Sequence, residues 1–475
     1  MKRPFCAVAI CLTAAGCIDG SRDDSDTITV SEEALSDGQN QGQFLTFLTF
    51  SEPDEHARQL DTCNGTPPNC GTTNSSYYST VGVTATGSNN FGNLTIAKRL
   101  PRLSDFISFY NFSSEVKTFY YNRGDLGLGR EMHCVDHLAA SDGQIACYVS
   151  NFAANTALDE FAFGLSSNVA FANLDADSSF ATVAMVFRSL MPIDAPNRVF
   201  FVVYDGNGNL QPFAALDRHG ITYANALKSG TPGPEFGTPG VSFNNHVPSN
   251  CISCHGGKAY DKTGHAVTAA LFLPFDLDQF DYEAVSTKTR GDQLTAFKHQ
   301  NEVVRKVAAL SVSSANKAGT SVKNQLDTWY HNTNHVGQND RNEVFENDFD
   351  STAVVSGWSG APDIYQSVIR PTCRNCHMSN QTTTPGTPVK PHTFDLQTDF
   401  NSFAPAAVSF LCGHQMPHSL QTLRQFWQST RPAALASYLD GVDGNLANTL
   451  RGCGPGDVAT LDPPEIMAAL TAARQ

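Results

Sequence analysis

The sequence predicts an α+β protein, a β-rich N-terminal domain followed by mainly α-helical domains. Three observations predict it. Short apolar runs broken by glycine and asparagine turns fill the chain from Phe44 to about Tyr223. Beyond residue 290 the apolar positions fall at helical spacing. The pentapeptide CxxCH occurs twice, as Cys251-Ile252-Ser253-Cys254-His255 and Cys373-Arg374-Asn375-Cys376-His377, both in the second half. A length of 475 residues suggests two or three domains. With 41% hydrophobic and 16% charged residues the composition is that of a soluble globular protein. The net charge of −15 excludes nucleic acid as a partner class, because phosphates need a basic footprint. On these signals the chain divides into 1–16, 17–42, 43–240, 241–350 and 351–475.

The first segment reads as a signal peptide. Lys2 and Arg3 form a positive n-region, and Phe5 to Ala15 form an apolar stretch too short to span a bilayer. Leu12-Thr13-Ala14-Ala15-Gly16-Cys17 resembles a bacterial lipobox, which implies a lipid on Cys17 and a membrane anchor. Leucine is commoner in that motif where Ala14 stands, so plain signal cleavage is the alternative. No later apolar run reaches ~18 residues, the length of a transmembrane helix. Residues 18–42 carry the acids Asp19, Asp23, Asp24, Asp26, Glu32, Glu33 and Asp37 against Arg22 alone, which reads as an acidic disordered tether.

In the β-rich region, Phe44 to Phe50 and Thr182 to Met191 read as strands. Arg198 to Tyr204 and Leu210 to Leu216 flank the hairpin loop Asp205-Gly206-Asn207-Gly208-Asn209. That loop alternates like a calcium site but lacks the glycine at position six and the acid at position twelve, so the turn reading is preferred. Gly124 to Cys134 is glycine-rich without nucleotide-loop spacing. It reads either as a turn pinned by a disulfide or as a loop folded over a flat group, offering His133 as an axial ligand.

Two thiols spaced as in CxxCH can add across the two vinyl groups of a haem, and the adjoining histidine is then placed to bind the iron. Chance is a poor rival: 13 Cys and 14 His in 475 residues give, by the product of their frequencies, about 0.01 accidental matches. A zinc reading needs paired CxxC or CxxH units, and a thiol-redox reading needs no trailing histidine. The two motifs therefore predict two covalently bound haem c groups. Cys251, Cys254, Cys373 and Cys376 attach them, and His255 and His377 bind the irons. Here the chain resembles c-type cytochromes, specifically a di-haem one, and c-type maturation on the outer side of the bacterial plasma membrane agrees with the export signal.

Around the first motif, Leu271 to Phe275 is an apolar run suited to a haem edge. No methionine lies between Met191 and Met378, so a sulfur ligand there comes most simply from Met132, Met185 or Met191. His246, His265, His299, His331 and His335 are the nearby histidines. Helices are expected over Asp292–Leu310, with Asp292 as N-cap, and over Ser321–Tyr330. Around the second motif the order of elements resembles a small cytochrome c over about 352–475, whereas 245–340 shares only the motif. Pro362 to Arg370 reads as a short helix stopped by Pro371, and Asn380 to Pro391 as a polar loop. Met416 follows His377 by 39 positions, where the resemblance implies the sulfur ligand, with His414 and His418 as alternatives. Leu420, Leu423, Phe426, Trp427, Leu435 and Tyr438 supply helical apolar faces, and Asp462, Pro463 and Glu465 signal a last helix.

Six further cysteines, Cys63, Cys70, Cys134, Cys147, Cys412 and Cys453, read as disulfides in an exported chain. Sequence neighbours suggest 63–70, 134–147 and 412–453, among the 15 pairings that six cysteines allow. The functional expectation is an exported electron carrier, lipid-anchored in the periplasm or outer membrane of a Gram-negative bacterium, passing electrons to a redox partner protein or terminal acceptor. The alternative is a di-haem peroxidase or oxygenase with an open first haem, although the long β-rich region departs from the peroxidases. A third reading makes the N-terminal domain a binding module.

Overall fold

The computed structural model describes residues 100–125, 127–140, 143–152, 167–179, 181–190, 198–210, 251, 254–256, 270–284, 287–312, 317–332, 344–379, 381–382, 390–412 and 420–454, with short pieces between 78 and 96. The signal, the tether, Phe44–Phe50, Cys63, Cys70 and the helix expected after Asp462 lie outside the described residues. The fold class is α+β. Its centre is a six-stranded antiparallel sheet of order β7-β6-β5-β4-β3-β8, with β3 Val116–Asn122, β4 Leu128–His137, β5 Gln144–Phe152, β6 Ala181–Arg188, β7 Val199–Asp205 and β8 Phe280–Asp281. Ahead of it lie the small hairpin β1 Asn89–Phe91 and β2 Leu94–Ile96, and the helix α1 Leu103–Phe109. The helix α2 Ser167–Asp175 connects β5 to β6 and packs on β4.

The stretch Gly124–Cys134 is a hairpin turn followed by strand rather than a loop. Asn122 Oδ1 accepts from the Gly124 amide at 2.9 Å and Gly127 takes φ +77°, which closes the β3–β4 turn. The disulfide Cys134–Cys147 joins directly paired residues of β4 and β5, their Cα atoms 4.2 Å apart. The Asp205–Asn209 turn forms, with Asp205 Oδ1 accepting from the amides of Asn207 at 2.8 Å and Asn209 at 2.9 Å, while 211–216 of the strand expected after it lie outside the described residues.

Helix α3 Arg290–Ala309 packs along β3, and α4 Lys317–Trp329 packs on α3 within the core shared with the sheet. The N-cap of α3 is Thr289, whose hydroxyl accepts from the Asp292 amide, so the helix starts ahead of the expected cap. The free edge of β3 beyond β8 is closed by α3 side chains. Gln293 accepts from the Phe119 amide at 2.6 Å and donates back to its carbonyl at 2.9 Å, and Gln300 donates to Val116 O at 3.2 Å. Sheet, first motif and these two helices share one hydrophobic core that includes Phe201, Cys251, Phe275, Phe297 and Trp329. Packing therefore does not separate the expected domains 43–240 and 241–350.

A second core spans Val355 to Leu450. Its first helix, α5, starts as α-helix over Pro362–Ile364 and continues as π-helix over Tyr365–Cys373. Pro371 lies inside it and does not stop it, contrary to expectation. Its ring would collide with the carbonyl four residues back in an α-helix; the wider π turn avoids that clash, and Arg374 N bonds to Ile369 O at 2.8 Å. The expected loop carries the short pair β9 Gln381–Thr382 and β10 Lys390–Pro391. Helices α6 Gln397–Cys412, α7 Leu420–Trp427, α8 Arg431–Asp440 and α9 Gly444–Gly452 complete this unit. The disulfide Cys412–Cys453 ties the end of α6 to the residue after α9. Among the described residues no helix is long and apolar enough to cross a membrane.

Candidate functional site

Cys251, Cys254 and His255 have helical backbone, which puts thiols three apart on one side of the turn. With the sheet they border a cavity of about 1210 Å³ of empty space, its open mouth included. Strand alternation decides which sheet residues face it. Arg130 and Met132 of β4, Cys147 and Val149 of β5, Met185 of β6 and Phe201 of β7 share the cavity face. The wall is mostly apolar, with one polar corner. There Arg130 pairs with Asp125, and Asn122 Nδ2 donates to Asp125 Oδ2 at 2.9 Å. Tyr120, which stacks on Phe280 at 4.1 Å, stands beside them.

His255 Nδ1 bonds to the Leu271 carbonyl at 2.8 Å, and its ring lies 5.4 Å from that of Phe201. His377 Nδ1 bonds to the His392 carbonyl at 2.9 Å, and its ring stacks on Phe394 at 4.1 Å. A carbonyl accepts only from a protonated nitrogen, so each bond assigns the proton to Nδ1 and leaves the Nε2 lone pair free. Burial pushes both imidazoles down to about 4, against the opposing pull of those carbonyls, so both are neutral at pH 7. None of the four motif cysteines is in a disulfide. Burial raises the pKa of Cys251 and pushes Cys373 up to about 12.

The second motif follows α5 directly, with His377 N bonded to Cys373 O at 3.0 Å. Its two variable residues face the first unit. Arg374, 3% exposed, sends Nε to Asp276 Oδ2 at 2.9 Å and lies 4.6 Å over the Trp329 ring, while Asp276 is fully buried. Asn375 Nδ2 donates to Gly124 O at 2.9 Å. Sequence reading missed these contacts, as it missed the Arg130–Asp125 corner. The only signal was charge inside an attachment motif and beside a glycine turn.

His133 needs a correction. It neighbours Met132 on β4 and so points to the opposite face, where it stacks on Tyr148 at 4.1 Å. Its Nδ1 lies 2.8 Å from Glu115 and its Nε2 3.0 Å from Glu131, which leaves no ring nitrogen for an iron in the cavity. Of the expected methionines, Met132 and Met185 both reach the cavity. His299 and His331 pair instead with Glu302 at 3.4 Å and Asp350 at 2.8 Å. Met191, His246, His265, His335, His414, Met416 and His418 lie outside the described residues.

Among the described residues no group of three or more Cys, His, Asp or Glu side chains could hold a bare metal ion. Each motif brings two thiols beside one neutral imidazole of fixed tautomer, and the first borders a mostly apolar cavity. No known protein family, no curated protein and no solved structure matches the chain.

Proposed function

We propose that this chain is an exported di-haem c-type cytochrome that transfers electrons. One haem is attached at Cys251 and Cys254 under His255, and the other at Cys373 and Cys376 under His377 in a cytochrome c-like helical unit. The observation that carries the reading is the pair of Nδ1–carbonyl bonds, His255 to Leu271 and His377 to His392. Ligating histidines are oriented by such an outer bond, and two long-separated CxxCH motifs have it in common. Haem supplies a reversible one-electron iron couple when bound. The chain's residues attach it, orient the imidazole and exclude water with the Phe201 and Phe394 walls.

Met416 is the proposed second ligand at the His377 site, and Met132 or Met185 at the His255 site. Cys17 is the proposed lipid anchor, which places the carrier in the periplasm or outer membrane, and the partner is a redox protein or terminal acceptor. A second reading, peroxidase or oxygenase, is favoured by the Arg130–Asp125–Tyr120 corner, since a half-buried cation on the cavity wall could stabilise a developing oxyanion. Visible spectra of the purified reduced protein with and without CO separate the two. The carrier reading expects no change on adding CO and no peroxide turnover; CO binding at one haem would turn the reading to the enzyme.

A further inference from the structure

The two attachment motifs are more than a hundred positions apart in sequence and meet in space. Gly256, directly after the first, takes φ +67°, and a Cβ there would stand 2.0 Å from the carbonyl oxygen of Ser379, two residues after the second. The Ser379 hydroxyl donates to the Cys254 carbonyl. Cys376 borders the same cavity as Cys251, Cys254 and His255. Met378, beside His377, is buried in the sheet's core rather than in the helical one. The Arg374–Asp276 and Asn375–Gly124 bonds hold this arrangement from the other side. The two motifs thus meet through Ser379 against Gly256 and the Cys254 carbonyl, and Cys254 and Cys376 face one cavity.

Resting on the di-haem reading, we propose that Cys254 and Cys376 form the junction between two adjacent haems, so that the protein works as one coupled pair. Cys254 and Cys376 would each hold the edge of one macrocycle, and their shared cavity would bring those edges together. With both groups bound, the junction would let one electron pass between them, one centre being oxidised as the other is reduced, with no bond broken and no proton moved. Two charges this close in a buried setting also act on each other's potential.

The test uses the mature, full-length protein. Haem content is measured first, and two covalent haems per chain are expected; fewer would overturn the di-haem reading and the junction with it. With two haems established, EPR spectra are compared between the fully oxidised and the half-reduced protein. Adjacent paramagnetic irons broaden each other's lines, so the ferric signal is expected to sharpen once its neighbour is reduced. Superimposable line shapes in both states would overturn the junction while leaving the two-haem reading intact.

Discussion

A Cβ on Gly256 would stand 2.0 Å from the carbonyl oxygen of Ser379, closer than any side chain allows, and Gly256 itself sits at φ +67°. Two constraints therefore fall on one position. A left-handed conformation costs a side chain about 1 kcal/mol, and the overlap with a backbone oxygen adds to it. Gly256→Ala is expected to destabilise the mature protein by roughly 2–4 kcal/mol, the range of strained or overpacked sites, read as a lowered urea midpoint. An unchanged midpoint would mean that the two motifs do not pack as described.

The Arg374–Asp276 pair locks the second motif to the first unit. Breaking a buried pair from one side leaves an uncompensated charge and costs roughly 3–5 kcal/mol. Asp276→Asn should therefore be strongly destabilising. Replacing both partners together, Asp276→Leu with Arg374→Met, should recover much of that loss, because the desolvation cost disappears with the charges. A double-mutant cycle in urea measures the coupling.

Met132 and Met185 are the sulfur donors on the cavity wall beside His255. Under the carrier reading, Met132→Leu with Met185→Leu opens the first site, and CO then binds to one haem of the reduced protein where it did not before. His133→Ala, by contrast, leaves the haem spectrum unchanged. It lowers stability by about 1–3 kcal/mol, the cost of the two lost bonds to Glu115 and Glu131, which keep Lys117 as a partner. A haem spectrum altered by His133→Ala would contradict the strand register.

Protonation gives a further check on the haem-free chain. Burial holds His255 and His377 at about 4, below the ordinary 6.5. Above pH 6.5 folded and unfolded chains both carry neutral imidazoles, and the two contribute no pH dependence. As pH falls from 6.5 towards 4 the unfolded chain binds protons that the folded chain refuses, so stability falls. Each imidazole contributes about 1 kcal/mol per pH unit in that window. Urea titrations of the Cys251→Ala, Cys254→Ala, Cys373→Ala, Cys376→Ala chain at pH 7 and 5 measure the loss, and equal stability at the two values would contradict it.

The parts legible in sequence were those that covalent or local chemistry fixes. The CxxCH spacing, the pairing of Cys134 with Cys147 and of Cys412 with Cys453, the Asp205 turn and the apolar faces at Leu423, Phe426 and Leu435 each rest on near neighbours or on cysteine arithmetic. Register and long-range contact were not legible. Whether Met132 or His133 faces the cavity depends on a one-residue phase, which the glycines at the start of β4 obscured. Pro371 read as a stop because only α-helical geometry forbids it there. The contact of Gly256 with Ser379, and of Arg374 with Asp276, joins segments that carry no mark of each other.

The central claim is that both motifs carry covalent haem, and intact-mass measurement of the mature exported protein tests it most directly. The account predicts a mass increase of two haems that survives acid extraction, reduced to one in Cys251→Ala with Cys254→Ala and to the other one in Cys373→Ala with Cys376→Ala. A mature protein with no added haem mass, or with haem that acid removes, would contradict it.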